Sequence, residues 1–142
     1  MGVYTVHNPA FVERVRQIWD EAPFVVHLGM QLSRIEPGLC ESTLTPRPEH
    51  MQQSGVVHAG VLATLADHTA GSAAATLMAP EHSVLTSEFK IHLLRPARGP
   101  LRCLATVLKP GRMFSIVEAE VRAADALVAK LIATLAIVDT LR

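Results

Sequence analysis

The spacing of apolar residues changes along this chain, and each change marks an element. Phe11, Val12, Val15, Ile18 and Trp19 recur at helical spacing, with Glu13, Arg14, Arg16, Gln17 and Asp20 on the other face. Asn8-Pro9 offers a start, with Asn as cap and Pro at the first helical position, and Pro23 offers a stop. The pattern predicts an amphipathic helix that packs by one face, followed by a linker or short turn over 24–29. Residues 30–35 and 39–45 read as strands joined at the Pro37-Gly38 turn. Pro46, Pro48 and the polar run from His50 to Gly55 then predict an irregular loop.

Between 58 and 79 the chain is apolar on nearly every face. The run HAGVLATLADHTAGSAAATLMA is rich in Ala and Leu, contains no Pro and is closed by Pro80. It predicts a helix of ~33 Å, buried rather than half-exposed. One acid, Asp67, sits in its middle. A buried carboxylate without a partner is costly, so Asp67 is expected to have a partner or a task.

After Pro80 the period becomes two. Leu85, Ser87, Phe89, Ile91 and Leu93 alternate with Thr86, Glu88, Lys90, His92 and Leu94. Residues 96–100 break that strand, 101–108 form another, and Pro110-Gly111 turns the chain into 112–122. The last segment, 126–138, is ambiguous. Its Ala and Leu content favours helix, whereas the alternation Leu127, Ala129, Leu131, Ala133, Leu135, Ile137 favours strand. We read it as strand, because the two preceding segments form a meander that needs a neighbour. The sum is α+β: an antiparallel sheet of five or six strands whose apolar face is covered by the central helix.

Composition narrows the function classes. The 142 residues suit one domain over 1–142, with 1–23 as an N-terminal helical segment and 58–79 as its central helix. Lys+Arg and Asp+Glu both count 13, so no basic excess points to nucleic acid. Charge is thin at 18%, which favours a homo-oligomer. Cys40 and Cys103 lie far apart without metal-type spacing, and no secretory leader pattern opens the chain. They read as reduced thiols of a cytoplasmic protein. The central run is the one candidate membrane span, and His58, Asp67 and His68 argue against it. No two histidines stand at i, i+4, so no metal is expected.

The segment from Gln52 to Gly60, followed by Asp67, holds the chemistry. A loop rich in amides and hydroxyls enters the helix at His58-Ala59-Gly60. The first N–H groups of a helix lack intrahelical partners and sit at its positive end, a place for an oxyanion or a polarised carbonyl. Asp67 is a candidate general base or nucleophile. Gly60 and Asp67 share a face but stand ~10 Å apart along the axis. A reacting carbonyl needs donor and attacker both within ~3 Å. One helix cannot supply both. Two antiparallel copies across a two-fold axis can, so a catalytic site here is expected to be shared between subunits.

His58-Ala59-Gly60, then Leu65-Ala66-Asp67, then Ala70-Gly71 resembles the hotdog-fold thioesterases of the phenylacetic-acid-degradation (PaaI-like) type. The likeness extends to His50-Met51-Gln52, Gly55, the stretch from Thr86 to Ala97 and the turn Lys109-Pro110-Gly111-Arg112. Ala59 departs from the family's usual Gly, which keeps the N–H and adds a methyl. The resemblance implies a hotdog fold, a homodimer often doubled to a tetramer, and metal-independent, cofactor-free hydrolysis of acyl-coenzyme A thioesters. It implies Asp67 as general base or nucleophile, and the Ala59 N–H with Gly60 as carbonyl donors. Gln52 would lie near carbonyl or water, His58 would orient the helix start, and Thr86 would stand near the acid. Arg95, Arg98 and Arg112 are candidates for the phosphates of coenzyme A. The plainer readings are a structural Asp67, a capping His58, a loop Gln52, a strand Thr86 and solvated arginines. Rival functions on the same fold are a non-catalytic acyl-coenzyme A binder and an acyl-thioester hydratase.

Overall fold

The computed structural model describes residues 3–140. Helix α1 (Phe11–Glu21) and the short α2 (Pro23–Leu28) precede the hairpin β1 (Gln31–Glu36) and β2 (Leu39–Leu44). A 3-10 turn (Pro48–His50) leads to the central helix α3 (Ala59–Ala75). Strands β3 (His82–Leu93), β4 (Leu101–Lys109), β5 (Phe114–Ala123) and β6 (Ala126–Asp139) follow. All six strands form one sheet in the order β1-β2-β4-β5-β6-β3, every neighbouring pair antiparallel. The ambiguous last segment is a strand, and it fills the place between β5 and β3.

The sheet curls around α3 because both surfaces are built from small residues. Ala66, Ala70 and Ala73 on the helix and Ala105, Ala119 and Ala133 on the strands are all fully buried. Close approach follows from missing side chains, and Leu65, Leu131 and Leu135 fill what remains. Two hydroxyls inside are paired: Ser42 and Thr69 lie 2.6 Å apart, and Thr69 donates to the Leu65 carbonyl. This is the hotdog arrangement that the resemblance implies.

Four sequence expectations need correction. Asn8 caps a turn by accepting from the Ala10 N–H, and α1 itself begins at Phe11. Pro23 is the first residue of α2, not simply a stop, and Gly29 closes α2 in the left-handed region at φ 75°. Pro at the first helical position starts a helix as readily as it ends the one before. Helix α3 ends at Ala75, four residues early, and the chain continues in tight turns as Leu77 and Met78 donate to Ala74 and Ala75. Finally, α3 is not covered on all sides. Ala59 and Gly60 are exposed, and Val61, Ala63, Thr64, Asp67, His68 and Gly71 are only half-buried. One face of the helix is buried from Leu62 to Ala73, and the opposite face of the near half is bare in this chain.

The sheet has a matching bare edge. Strand β3 pairs with β6 on one side only. Leu85, Phe89 and Leu93 on it are 47%, 40% and 51% exposed, and a long apolar edge of this kind is open to pairing with another chain.

Candidate active site

Asp67 projects from the middle of α3 toward β3, where the Thr86 hydroxyl donates to its Oδ1 at 2.7 Å. The β3–β6 register shifts between Thr86 and Glu88. Such a bulge re-aims side chains locally, here beside the residue that holds the acid. Burial pushes the Asp67 carboxyl above its ordinary range, and the Thr86 hydrogen bond pulls partly against it. The result is an oriented, partly desolvated carboxylate with one oxygen bonded by the protein.

The other candidates gather at the start of α3. The loop before it is closed on itself: Gln52 N–H donates to Val56 O, Gly55 N–H to Gln52 O and His58 N–H to His50 O. Gly55 makes the turn at φ 75°. Val57 N–H donates to Ala97 O, and the Arg98 guanidinium to Gly55 O. The Gln52 side-chain amide makes no hydrogen bond among the described residues. His58 is the N-cap: its Nδ1 accepts from the Gly60 N–H at 2.9 Å. A Cβ at position 60 would stand 3.1 Å from that nitrogen, so the capping imidazole would have to give way by a few tenths of an ångström. Gly60 N–H is therefore occupied. Ala59 N–H, the first of the helix, has no intrahelical acceptor and makes no hydrogen bond among the described residues, and Ala59 itself is exposed.

The structure thus brings Asp67 to Thr86, and Gln52 to His58, Ala59 and Gly60, but does not bring the two groups together within a chain. Eight helical residues, ~12 Å of axis, separate Ala59 from Asp67. Two cavities flank Asp67, of about 460 Å³ and 280 Å³, and neither is lined by the loop-and-cap residues. The three arginines do not form one cluster. Arg95 donates to Leu127 O and Arg98 to the Gly55 loop, whereas Arg112 lies by the N-terminal segment and His82, at the other end of β3.

Sequence reasoning missed the neighbour of the acid. His68 lines both cavities beside Asp67. Its ring meets Trp19 of α1 edge-on, centroids 4.6 Å apart. The Trp19 indole N–H donates to Ser72 Oγ at 2.7 Å, and Ser72 donates to the His68 carbonyl. Burial brings the imidazole down to about 4, so it is neutral at physiological pH. Its Nε2 is buried and unpartnered among the described residues. The amphipathic pattern identified Trp19 as a packing residue but carried no sign that α1 packs over α3.

Comparison with known proteins assigns this geometry to a family. The profile described as "Thioesterase superfamily" matches residues 54–130, from the capping loop to β6. A provisionally named esterase of Saccharolobus solfataricus is 30% identical over 116 residues, 80% of this chain and 82% of that protein. A thioesterase family protein of Silicibacter pomeroyi superposes with a TM-score of 0.88 at 32% identity, covering 92% of this chain and 99% of that one. A phenylacetic acid degradation-related protein of Ralstonia eutropha, provisionally described as a thioesterase, superposes with a TM-score of 0.79 at 26% identity, covering 90% and 98%. This chain belongs to the thioesterase superfamily, as a hotdog thioesterase of the phenylacetic-acid-degradation (PaaI-like) type.

Proposed function

We propose that the protein hydrolyses acyl-coenzyme A thioesters, with each active site formed by two copies of the chain. The observation that carries this reading is the half-buried Asp67 carboxylate, fixed by Thr86, on the same helix as an unengaged Ala59 N–H ~12 Å away. An antiparallel second copy sets the Asp67 of one protomer against the Ala59 of the other. The bare face of α3 and the unpaired edge of β3 supply the surface for it. Asp67 then acts as general base: water attacks the thioester carbon while its proton passes to the carboxylate. The oxyanion is held by the partner's Ala59 N–H at the helix's positive end. Collapse breaks the C–S bond, and Asp67 returns the proton to the leaving thiolate, giving acid and free thiol. In this reading Gln52, whose backbone closes the loop ahead of the helix, bonds the carbonyl or the water through its side-chain amide. His58 keeps Gly60 N–H and the helix start in place. Arg98, tied to the Gly55 loop, is the arginine best placed for a coenzyme A phosphate. Cys40 and Cys103 take no part: both are buried and unpaired, their thiols pushed up to about 12. That suits a reducing, cytoplasmic setting.

The test is a panel of acyl-coenzyme A esters, with free thiol followed for the wild type, Asp67→Asn and Ala59→Pro. Each variant should lose at least ~10²-fold in kcat. Mixing the two after exchange of subunits should restore activity, because each mixed dimer holds one intact site. No recovery despite proven exchange would reject the shared site. Tight binding of the esters without turnover would make the protein a binder instead.

A further inference from the structure

Gly71 is out of place by the chain's own needs. It sits inside α3, where glycine is less favourable than alanine, and its backbone is not in the left-handed region. A Cβ built on it would meet nothing within 4 Å. No contact among the described residues explains the missing side chain. The space above it is the cavity of about 460 Å³ that Asp67 also lines. Gly71 follows Asp67 by four residues, one turn further along the same face.

We infer that the acyl chain of the substrate runs from the carbonyl at Asp67 over Gly71 into the cavity between α1, α3 and the first half of β3. Gly71 and the α1 residue Ile18 then set the length it accepts. The inference rests on the acyl-thioester reading above and extends it to the substrate class. The apolar part of the cavity wall is Ile18, Ala75, Val84 and Leu85, on three elements, and Arg14, Gln17 and Glu21 of α1 also line it. The volume falls within the ~300–1,000 Å³ of ligand sites. From Asp67 to Ala75 the helix advances ~12 Å, the reach of a medium-chain acyl group. The wall made by α1 is fixed rather than loosely laid. Trp19 donates to Ser72 on α3, and Arg14 donates to the carbonyls of Ala79 and His82 beyond it. His68, neutral and packed on Trp19, separates this cavity from the smaller one.

The smaller cavity is the weaker choice. It lies on the other side of Asp67, over Ala63 and Thr64. If Asp67 of one helix meets Ala59 of its antiparallel partner, residue 63 of each helix falls at the two-fold axis. The partner's helix then covers Ala63 and Thr64 and leaves Gly71 and Ala75 open.

The test uses the purified protein and straight-chain esters from acetyl- to decanoyl-coenzyme A. For Gly71→Leu, the ratio of kcat/KM for octanoyl to that for acetyl should fall at least tenfold. Gly71→Ala should shift the optimum in the same direction by less, while raising the melting temperature. Ile18→Ala, on a different element, should move the optimum to longer chains. Opposite shifts from the two walls cannot arise from general damage to the fold. Profiles parallel to wild type in all three variants would overturn the inference alone. No turnover of any ester by the wild type would overturn the acyl-thioester reading, and this inference with it.

Discussion

The two halves of α3 share a composition and differ in surroundings. From Ser72 onward every residue to Met78 is buried, and Ala73, Ala74 and Ala75 are in the core. From Ala59 to Asp67 only Leu62, Leu65 and Ala66 are buried, and the face between them is open. Helix propensity does not distinguish the halves, since both are rich in Ala. What differs is the cover on the outer face, which α1 gives to the far half through Trp19 at His68 and Ser72. In the far half the small side chains let the sheet and α1 close over the helix. In the near half they leave backbone N–H groups and one carboxylate accessible. The same residue type serves packing at one end and chemistry at the other.

Substitutions that damage packing and spare the chemistry, or the reverse, test this contrast. The largest loss of stability is expected at Leu65, which is fully buried. Leu65→Ala should lower unfolding free energy by about 2–5 kcal/mol in denaturant titrations. The reverse profile is expected from Ala59→Pro. Position 59 is the first helical residue, where proline is favoured. His58 before it is already extended, at ψ 138°, as a residue preceding proline requires. The fold should therefore persist while the N–H is lost. The expected cost is ~10²–10³ in kcat, about 2.7–4 kcal/mol, as for removal of one oxyanion donor. A melting temperature that falls as far as that of Leu65→Ala would show that Ala59 serves packing rather than chemistry.

Asp67 stands at the boundary, and there stability and activity should move in opposite directions. Its carboxyl is raised by burial, so the folded state keeps a proton that the unfolded chain has released. Stability then declines as pH rises from the unfolded value through the raised one, and the loss persists above it. Asn never ionises and can still accept from Thr86. Asp67→Asn should lower kcat by ~10²-fold, ~2.7 kcal/mol at 1.36 kcal/mol per decade. It should melt higher than wild type near neutral pH and no higher below about pH 4. The wild-type rate should rise with pH along a limb whose midpoint lies above the ordinary carboxylate range. A variant less stable than wild type at neutral pH would make Asp67 a structural acid.

Much of this contrast was legible in the sequence, for identifiable reasons. Alternation is a local property, so β3 to β6 could be read from Leu85, Phe89, Leu131 and their neighbours. Even the Ala-rich final strand followed from its period. The acid and the helix start were legible because each is unusual against an apolar run. The open face of α3 was not, because the hydrophobicity of Val61 and Ala63 gives no sign of which part of the outer face α1 leaves bare. Nor was the contact between Trp19 and His68, which depends on how α1 crosses α3. Pro23 and Gly29 did carry the signature of a short helix, but over six residues it was hidden by the reading of Pro23 as a stop. The separation of Arg112 from Arg95 and Arg98 depends on topology alone.

The smallest effect expected is at His58, and it separates capping from chemistry. The imidazole Nδ1 accepts the Gly60 N–H, so His58→Ala leaves that donor without its acceptor at the exposed end of the helix. Loss of a cap costs about 1 kcal/mol. Asn is among the preferred caps, and its side-chain oxygen can take the place of Nδ1. His58→Asn should therefore melt close to wild type, and His58→Ala below it. If His58 acts only by fixing the helix start, activity should follow the same order, with Asn near wild type and Ala reduced severalfold. Equal, large losses of kcat in both variants, with the Asn variant still fully stable, would show that the imidazole itself reaches the substrate.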